Sequence, residues 1–334
     1  MKITGKIMKL ILIGVVALIA LIIVGVILLI MFAEYKNENY WKFASPKGVI
    51  EEKYAALGEY EISSVQFDAG DDICKNYSVW YPKEMENGTK IYPLVLMVNG
   101  TGAKASASSA GFHHLASWGF IVVGNEDENT RTGESAATTL DYMLALNEDS
   151  QSVFYEHIDT ENIGIAGHSQ GGVGVINAVT QQENGNNYKA ICAQSATSSA
   201  VAYALNFLDG ELGGGWSCDT STLSIPTFMV AGTGNADAGN VQENRLELVE
   251  GETQGICPLW WLRECYDAMP DSIPKVIGRL VGKDHGDIPH SADGYMTAWF
   301  MYWLQDNEEA GKAFFGENAE IKTNENWQDV QIKE

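Results

Sequence analysis

A serine flanked by glycines stands out in the segment Gly167-His-Ser169-Gln-Gly171. The G-x-S-x-G spacing is typical of the tight turn that carries a nucleophilic serine. An apolar run from Ile163 to Ala166 precedes the turn and indicates a buried strand, and a helix-like run from Val173 to Val179 follows it. Such a reversal exposes the hydroxyl beside a base and aims backbone N–H groups at a developing oxyanion. We therefore predict Ser169 as a nucleophile; the structural alternative is a glycine-rich turn with an unreactive serine.

A serine nucleophile needs a base, and in one known chain order the histidine comes last, after the final strand. His285 lies in Val281-Gly-Lys-Asp-His-Gly286, directly after the apolar run Lys275–Leu280. The sequence therefore predicts His285 as the general base. The remaining histidines are predicted to be packed or surface residues, with the one inside the glycine motif shaping the turn: His113, His114, His157, His168 and His290.

The acid that orients the base should follow the preceding strand, which we predict at Pro226–Ala231. Asp237 is the only carboxylate in the loop Gly232–Asp237 and is predicted as this acid. Glu243 is the second choice. Asp284 neighbours the base in sequence and would point elsewhere, so we expect it to be a solvent-facing loop charge.

An oxyanion hole needs two N–H groups. One comes from the residue after the nucleophile, Gln170. The other should come from the loop Asn99–Gly102, which follows the predicted strand Tyr92–Val98. Thr101 is predicted as this second donor, with Gly102 as the alternative.

The elements that must position these residues alternate between strand and helix from about residue 60 to 304. This alternation predicts one α/β catalytic domain, residues 48–334, with a mostly parallel sheet covered by helices on both faces. Two longer segments, 196–223 and 240–274, interrupt the alternation at the edge of the sheet where ligands bind. Their aromatic residues either wall an apolar pocket or belong to the core under the covering helices, and they include Trp216, Trp260, Trp261 and Tyr266.

The amino-terminal segment is uncharged and apolar from Leu10 to Ala33. As a helix it would reach about 36 Å, enough to cross a hydrocarbon core of about 30 Å. We predict a cytoplasmic flank at residues 1–9, a transmembrane signal anchor at 10–33 in contact with the lipid bilayer, and a tether at 34–47. A cleaved signal peptide is the alternative. The lysines of the flank predict a single-pass membrane protein with an extracytoplasmic catalytic domain.

The formal net charge is −23, which excludes nucleic acid as a partner because phosphate binding needs a basic surface. The five cysteines show no metal-binding spacing. If the domain is exported, one disulfide among Cys218, Cys257 and Cys265 is expected, with the pairing open. The oligomeric state is also open.

Four segments together resemble the α/β-hydrolase superfamily: Gly167–Gly172, Asn99–Gly102, Leu115–Gly124 and Gly282–Gly286. Within it they are similar to the branch of dienelactone hydrolases, chlorophyllases and cutinase-like enzymes. The resemblance covers roughly residues 60 to 305. It implies an eight-stranded sheet and hydrolysis of esters through an acyl-serine intermediate, without metal or organic cofactor.

Three positions depart from the polyester-cleaving members of that branch. Gln170 stands where they usually carry Met, Thr101 where they carry an aromatic residue, and Gln194-Ser195 where they tend to carry Trp. These departures count against polyester cleavage and leave a general esterase, acting on a small-molecule or lipid-like ester. The alternatives are an acyltransferase or peptidase with the same triad, or a non-catalytic binding protein on a hydrolase scaffold.

Overall fold

The computed structural model describes residues 5–208 and 214–334. The first four residues of the predicted flank and residues 209–213 of the first long segment lie outside the described residues. The chain divides after Phe43 into two units, and the second runs from Ala44 to Glu334. The sequence placed the start of the catalytic domain slightly later, at residue 48.

The first unit is dominated by one helix, α1 (Gly5–Glu38), followed by a 3-10 turn at Tyr40–Phe43. From Ile7 to Glu38 the helix is long and apolar enough to cross a membrane, a test that an amino-terminal signal sequence also passes. The helix continues beyond Ala33, so part of the predicted tether is helical.

The strands of the described residues form one nine-stranded sheet in the order β1-β2-β4-β3-β5-β6-β7-β8-β9. The run from β4 to β8 is parallel, while β1, β2 and β9 pair antiparallel at the edges. The strands are β1 (Ile62–Asp68), β2 (Asn76–Pro82), β3 (Tyr92–Val98), β4 (Ile121–Asn125), β5 (Ile158–His168), β6 (Tyr188–Gln194), β7 (Thr227–Gly232), β8 (Lys275–Leu280) and β9 (Trp327–Lys333).

The predicted count of eight strands is wrong, because β9 adds an antiparallel strand beside β8. Its residues, Trp-Gln-Asp-Val-Gln-Ile-Lys, alternate only loosely in polarity, and their pattern predicts no strand. Trp327 of β9 is buried and packs on Phe228 and Tyr295. The strand is therefore selected by core packing and by pairing with β8, which a local pattern does not reveal.

Helices cover both faces of the parallel strands and bury two apolar clusters, one on each side of the sheet. This agrees with the predicted α/β architecture. The helices of the second unit are α2 (Val49–Ala55), α3 (Ser109–Ala116), α4 (Glu134–Glu148), α5 (Gln170–Gln181), α6 (Ser199–Leu208), α7 (Asn235–Ala238), α8 (Leu259–Ala268), α9 (Ile288–Ser291), α10 (Asp293–Gln305) and α11 (Glu308–Gly311).

The aromatic residues of the two long segments belong to the covering layer. Trp216 and Trp261 are buried, and the Trp261 indole donates a hydrogen bond to the Ala196 carbonyl at 3.2 Å. Trp260 and Tyr266 are partly buried against the apolar cluster that includes Trp261. Of the two alternatives, the structure favours core residues under covering helices.

Candidate active site

Ser169 occupies the turn between β5 and α5 with φ 61° and ψ −119°, a backbone conformation that non-glycine residues rarely adopt. The turn is crowded: a Cβ atom on Gly171 would collide with the carbonyl oxygen of Val98, and one on Gly172 would lie 2.8 Å from Ala196 Cα. The Ser169 N–H donates to the Gln194 carbonyl at 2.8 Å, so the end of β6 holds the strained turn.

His285 follows β8 and brings its imidazole between a hydroxyl and a carboxylate. Its Nε2 lies 2.9 Å from Ser169 Oγ, and its Nδ1 lies 2.7 Å from Asp237 Oδ1. A carboxylate only accepts, so Nδ1 carries a proton and Nε2 is left to accept one from the serine. The His285 side chain is 18% exposed, whereas that of Asp237 is fully buried. The structure thus places the three predicted residues in one hydrogen-bonded chain at the carboxyl ends of the strands.

Asp237 lies in α7, directly after β7, and both of its oxygens have donors. Oδ1 accepts from His285, and Oδ2 accepts from the Ser195 hydroxyl at 2.6 Å and the Gly232 N–H at 2.7 Å. These donors satisfy the hydrogen-bonding needs of a fully buried carboxylate. Glu243, the second choice for the acid, instead lies 3.6 Å from Arg245 and is mostly exposed.

Asp284 was expected to be a solvent-facing loop charge, and that expectation is wrong. Its Oδ1 accepts from the N–H groups of Ala236, Asp237 and His285 at 2.9, 3.1 and 2.8 Å. Partial burial opposes ionisation, but these donors outweigh it and hold the pKa of Asp284 below its ordinary value. The carboxylate ties the loop of the acid to the loop of the base, a role that no sequence motif signals.

His168, inside the glycine motif, supports the base rather than replacing it. Its Nε2–H donates to the His285 backbone carbonyl at 2.8 Å, and the two rings lie 4.4 Å apart. Burial, followed by the charge of His285, lowers the pKa of His168 to about 4. The ring is therefore neutral near pH 7, as the hydrogen bond to a carbonyl allows.

The two predicted oxyanion donors lie on segments that meet at the nucleophile. A Cβ atom on Gly100 would lie 3.6 Å from Ser169 Cβ, so the loop that carries Thr101 passes beside the serine. The Gly102 N–H donates to Glu128 O at 3.3 Å, which favours Thr101 over this alternative. Gln170 begins α5, where the first N–H groups of a helix have no intrahelical acceptor.

Three cysteines lie in the two long segments of the chain. Cys218, Cys257 and Cys265 are free thiols, so the conditional expectation of a disulfide among them is not met. Burial raises the pKa of Cys218 to about 12. Among the described residues, no group of three or more His, Cys, Asp or Glu side chains is arranged to hold a metal ion.

Comparison with known proteins agrees with the geometry. A family model described as PET hydrolase-like matches residues 46–204, which include the nucleophile turn. "Cutinase 2" of Thermobifida cellulosilytica is 26% identical over 266 residues, covering 76% of this chain and 83% of the relative. "Cutinase cut1" of Thermobifida fusca is also 26% identical over 266 residues and is covered to 68%. The predicted resemblance to the cutinase-like branch of the α/β-hydrolases is confirmed.

Proposed function

The chain is a relative of the cutinase-like α/β-hydrolases, and from this premise we propose that it hydrolyses carboxylic esters through an acyl-serine intermediate. The main support is the continuous hydrogen-bonded chain from Ser169 through His285 to Asp237. The distance from Ser169 Oγ to His285 Nε2 is 2.9 Å, and that from His285 Nδ1 to Asp237 Oδ1 is 2.7 Å. The family model and the cutinase relatives support an esterase of this class.

In the acylation step, His285 Nε2 takes the Ser169 proton while Oγ attacks the ester carbonyl carbon. The carbonyl oxygen gains the negative charge, which the N–H groups of Gln170 and Thr101 stabilise. As the tetrahedral intermediate collapses, the alkoxide leaves with the proton held by His285, and Ser169 keeps the acyl group. Water, deprotonated by the same imidazole, then attacks the acyl carbon; the bond to Ser169 Oγ breaks, the acid is released and the proton returns to Oγ. Asp237 keeps Nδ1 protonated and stabilises the imidazolium throughout.

The direct test combines active-site labelling with hydrolysis by the full-length protein. A fluorophosphonate should label wild-type protein at Ser169, and Ser169→Ala should abolish both the label and hydrolysis of p-nitrophenyl esters, with kcat lower by a factor on the order of 10⁶. Esters of increasing acyl length and an insoluble polyester film would define the substrate range. Turnover that survives Ser169→Ala, or the absence of any Ser169 adduct on folded protein, would exclude hydrolysis at this site.

Product analysis separates hydrolysis from the two other uses of the same triad. We expect free acid and alcohol in water, even when an alcohol or amine acceptor is added at millimolar concentration. Predominant transfer to the acceptor would identify an acyltransferase instead, and cleavage of peptide substrates at a higher rate than esters would identify a peptidase.

We also propose that residues 10–33 anchor the enzyme in the lipid bilayer as a single span, with the catalytic domain on the extracytoplasmic side. The support is the uncharged segment, the lysines of the short flank and the helix of residues 5–38. Membranes washed at alkaline pH should retain the protein with Met1 as its first residue. A mature protein that begins after residue 33 and is found in the soluble fraction would instead identify a cleaved signal peptide.

A further inference from the structure

Ser195 is a fully buried residue in the left-handed region of the backbone, directly after the end of β6. Its φ is 46°, a value that non-glycine residues seldom adopt. Its N–H donates to the Val230 carbonyl at 2.7 Å, and its hydroxyl donates to Asp237 Oδ2 at 2.6 Å. Backbone strain, complete burial and a short hydrogen bond to a carboxylate thus coincide at one residue.

We propose that Ser195 is a positioning residue that holds the Asp237 carboxylate in the orientation needed by His285. This inference rests on the proposed function and adds to it a residue outside the Ser-Asp-His set. Asp237 has two oxygens, and Ser195 and Gly232 bind only Oδ2. Oδ1 therefore stays directed at His285 Nδ1.

The position of Ser195 in the fold explains why it can act in this way. The residue before it, Gln194, accepts the Ser169 N–H at 2.8 Å through its carbonyl oxygen. Two consecutive residues at the end of β6 thus contact both ends of the catalytic chain, the nucleophile turn and the acid. An extended Ser195 would continue the strand; the left-handed turn at this residue ends it beside Asp237. Strain of this kind persists where the surrounding structure requires it and clusters at functional sites.

The first test measures kcat and KM of full-length Ser195→Ala on a p-nitrophenyl ester. Loss of a hydrogen bond to a buried carboxylate should lower kcat by about 10-fold to 100-fold. KM should change by less than about twofold, because the hydroxyl points to the acid and not to the substrate. Ser195→Gly, which relieves the backbone strain but also lacks the hydroxyl, should lose kcat to the same extent. Full activity of Ser195→Gly would overturn the proposal.

The second test asks whether Ser195 acts through the Asp237 carboxylate. In an Asp237→Asn background, Ser195→Ala should lower kcat by no more than about twofold, because the group it positions is already gone. An undiminished further loss in the double variant would show a merely structural role and overturn the proposal.

Ser198→Ala is the matched control, since Ser198 is also fully buried but its hydroxyl donates to a backbone carbonyl, that of Gly255, at 3.2 Å. It should keep kcat within about twofold of the wild type. Circular dichroism of each variant confirms that it is folded.

The outcomes separate this inference from the proposed function. If Ser169→Ala abolishes hydrolysis and Ser195→Ala does not slow it, only the role of Ser195 fails. If no ester is turned over, the rate of Ser169 phosphonylation by a fluorophosphonate still tests Ser195, because that reaction also needs an activated serine. An equal phosphonylation rate in Ser195→Ala and wild type would then overturn the inference.

Discussion

Two histidine–aspartate pairs among the described residues have the same nitrogen–oxygen separation, but their imidazole rings have different third partners. His285 Nδ1 lies 2.7 Å from the Asp237 carboxylate, and His114 Nδ1 lies 2.7 Å from the Asp293 carboxylate. Both aspartates are buried. The difference is on the other side of each imidazole ring, where His285 Nε2 lies 2.9 Å from a serine hydroxyl and His114 Nε2 lies 2.8 Å from the Ala56 carbonyl.

The Ala56 carbonyl only accepts hydrogen bonds, so Nε2 of His114 carries a proton. Burial by itself lowers the pKa of His114, but the Asp293 carboxylate and the backbone carbonyls outweigh it and the pKa lies above its ordinary value. A hydroxyl can donate, so His285 needs only the Nδ1 proton and keeps Nε2 as an acceptor. The His114 side chain is also 0% exposed, against 18% for His285. The third partner of each imidazole ring and its access to solvent therefore distinguish the two pairs.

The largest effect that separates the two pairs is on the rate of catalysis. Asp237→Asn should lower kcat for ester hydrolysis by about 10⁴-fold, because the imidazole loses its tautomer and the support of its positive charge. Asp293→Asn should leave kcat within a few-fold of the wild type. Glu243→Ala, at the exposed second choice for the acid, is the control and should not change kcat. Equal losses of kcat in Asp237→Asn and Asp293→Asn would contradict the distinction between the two histidine–aspartate pairs.

The second effect is on stability, and here the change is expected at the His114–Asp293 pair. Asp293→Ala leaves the buried His114 without its carboxylate and should lower the free energy of unfolding by about 3–5 kcal/mol. Urea titration followed by tryptophan fluorescence measures this loss. A destabilisation below about 1 kcal/mol would contradict the view of His114 and Asp293 as a buried structural ion pair.

A smaller effect concerns the link between the two catalytic loops. Asp284→Ala removes the acceptor shared by three N–H groups, including those of Asp237 and His285, and should lower kcat by about 10-fold. The fold should remain intact, since the loops are also tied to β7 and β8. Unchanged kcat in folded Asp284→Ala protein would show that the site needs no such link.

The smallest effect is the pH dependence of stability from His114. The folded protein binds this proton more tightly than the unfolded chain does, because the pKa of His114 is raised. The contribution is therefore complete below about pH 6.5, the ordinary imidazole pKa, and is lost as the pH rises through the folded value. Wild-type stability should fall more steeply than that of His114→Gln over this range, measured by urea titration at several pH values. Parallel curves would contradict a raised pKa of His114.

Much of the parallel sheet could be predicted because its strands are continuous apolar runs bounded by polar loops. The predicted strand Tyr92–Val98 has the observed bounds, and the predicted strand Pro226–Ala231 is shifted by one residue from β7. Such runs report burial on both faces, which is a local property of the sequence. The edge strand β9 could not be predicted in the same way, because its residues are half polar and its partner, β8, is distant in the chain.

The residues of the candidate site also differ in whether the sequence alone could predict them. Ser169, Asp237 and His285 could be selected from residue type, chain order and position after strands. Ser195 and Asp284 could not, because a serine after a strand and an aspartate in a loop are ordinary, and only the hydrogen bonds to Asp237 distinguish them. The sequence predicts His114 only as a packed or surface histidine, and the structure places its Nδ1 2.7 Å from the Asp293 carboxylate.

The sequence by itself therefore determined most of the parallel strands, the glycine turn around Ser169 and the candidate acid and base, since these depend on periodicity, steric limits and chain order. Only the tertiary structure decided which donors hold the Asp237 carboxylate, which loops are tied together and which histidine can accept a proton. Those properties depend on distances of a few ångströms between residues far apart in the chain, and no local pattern encodes them.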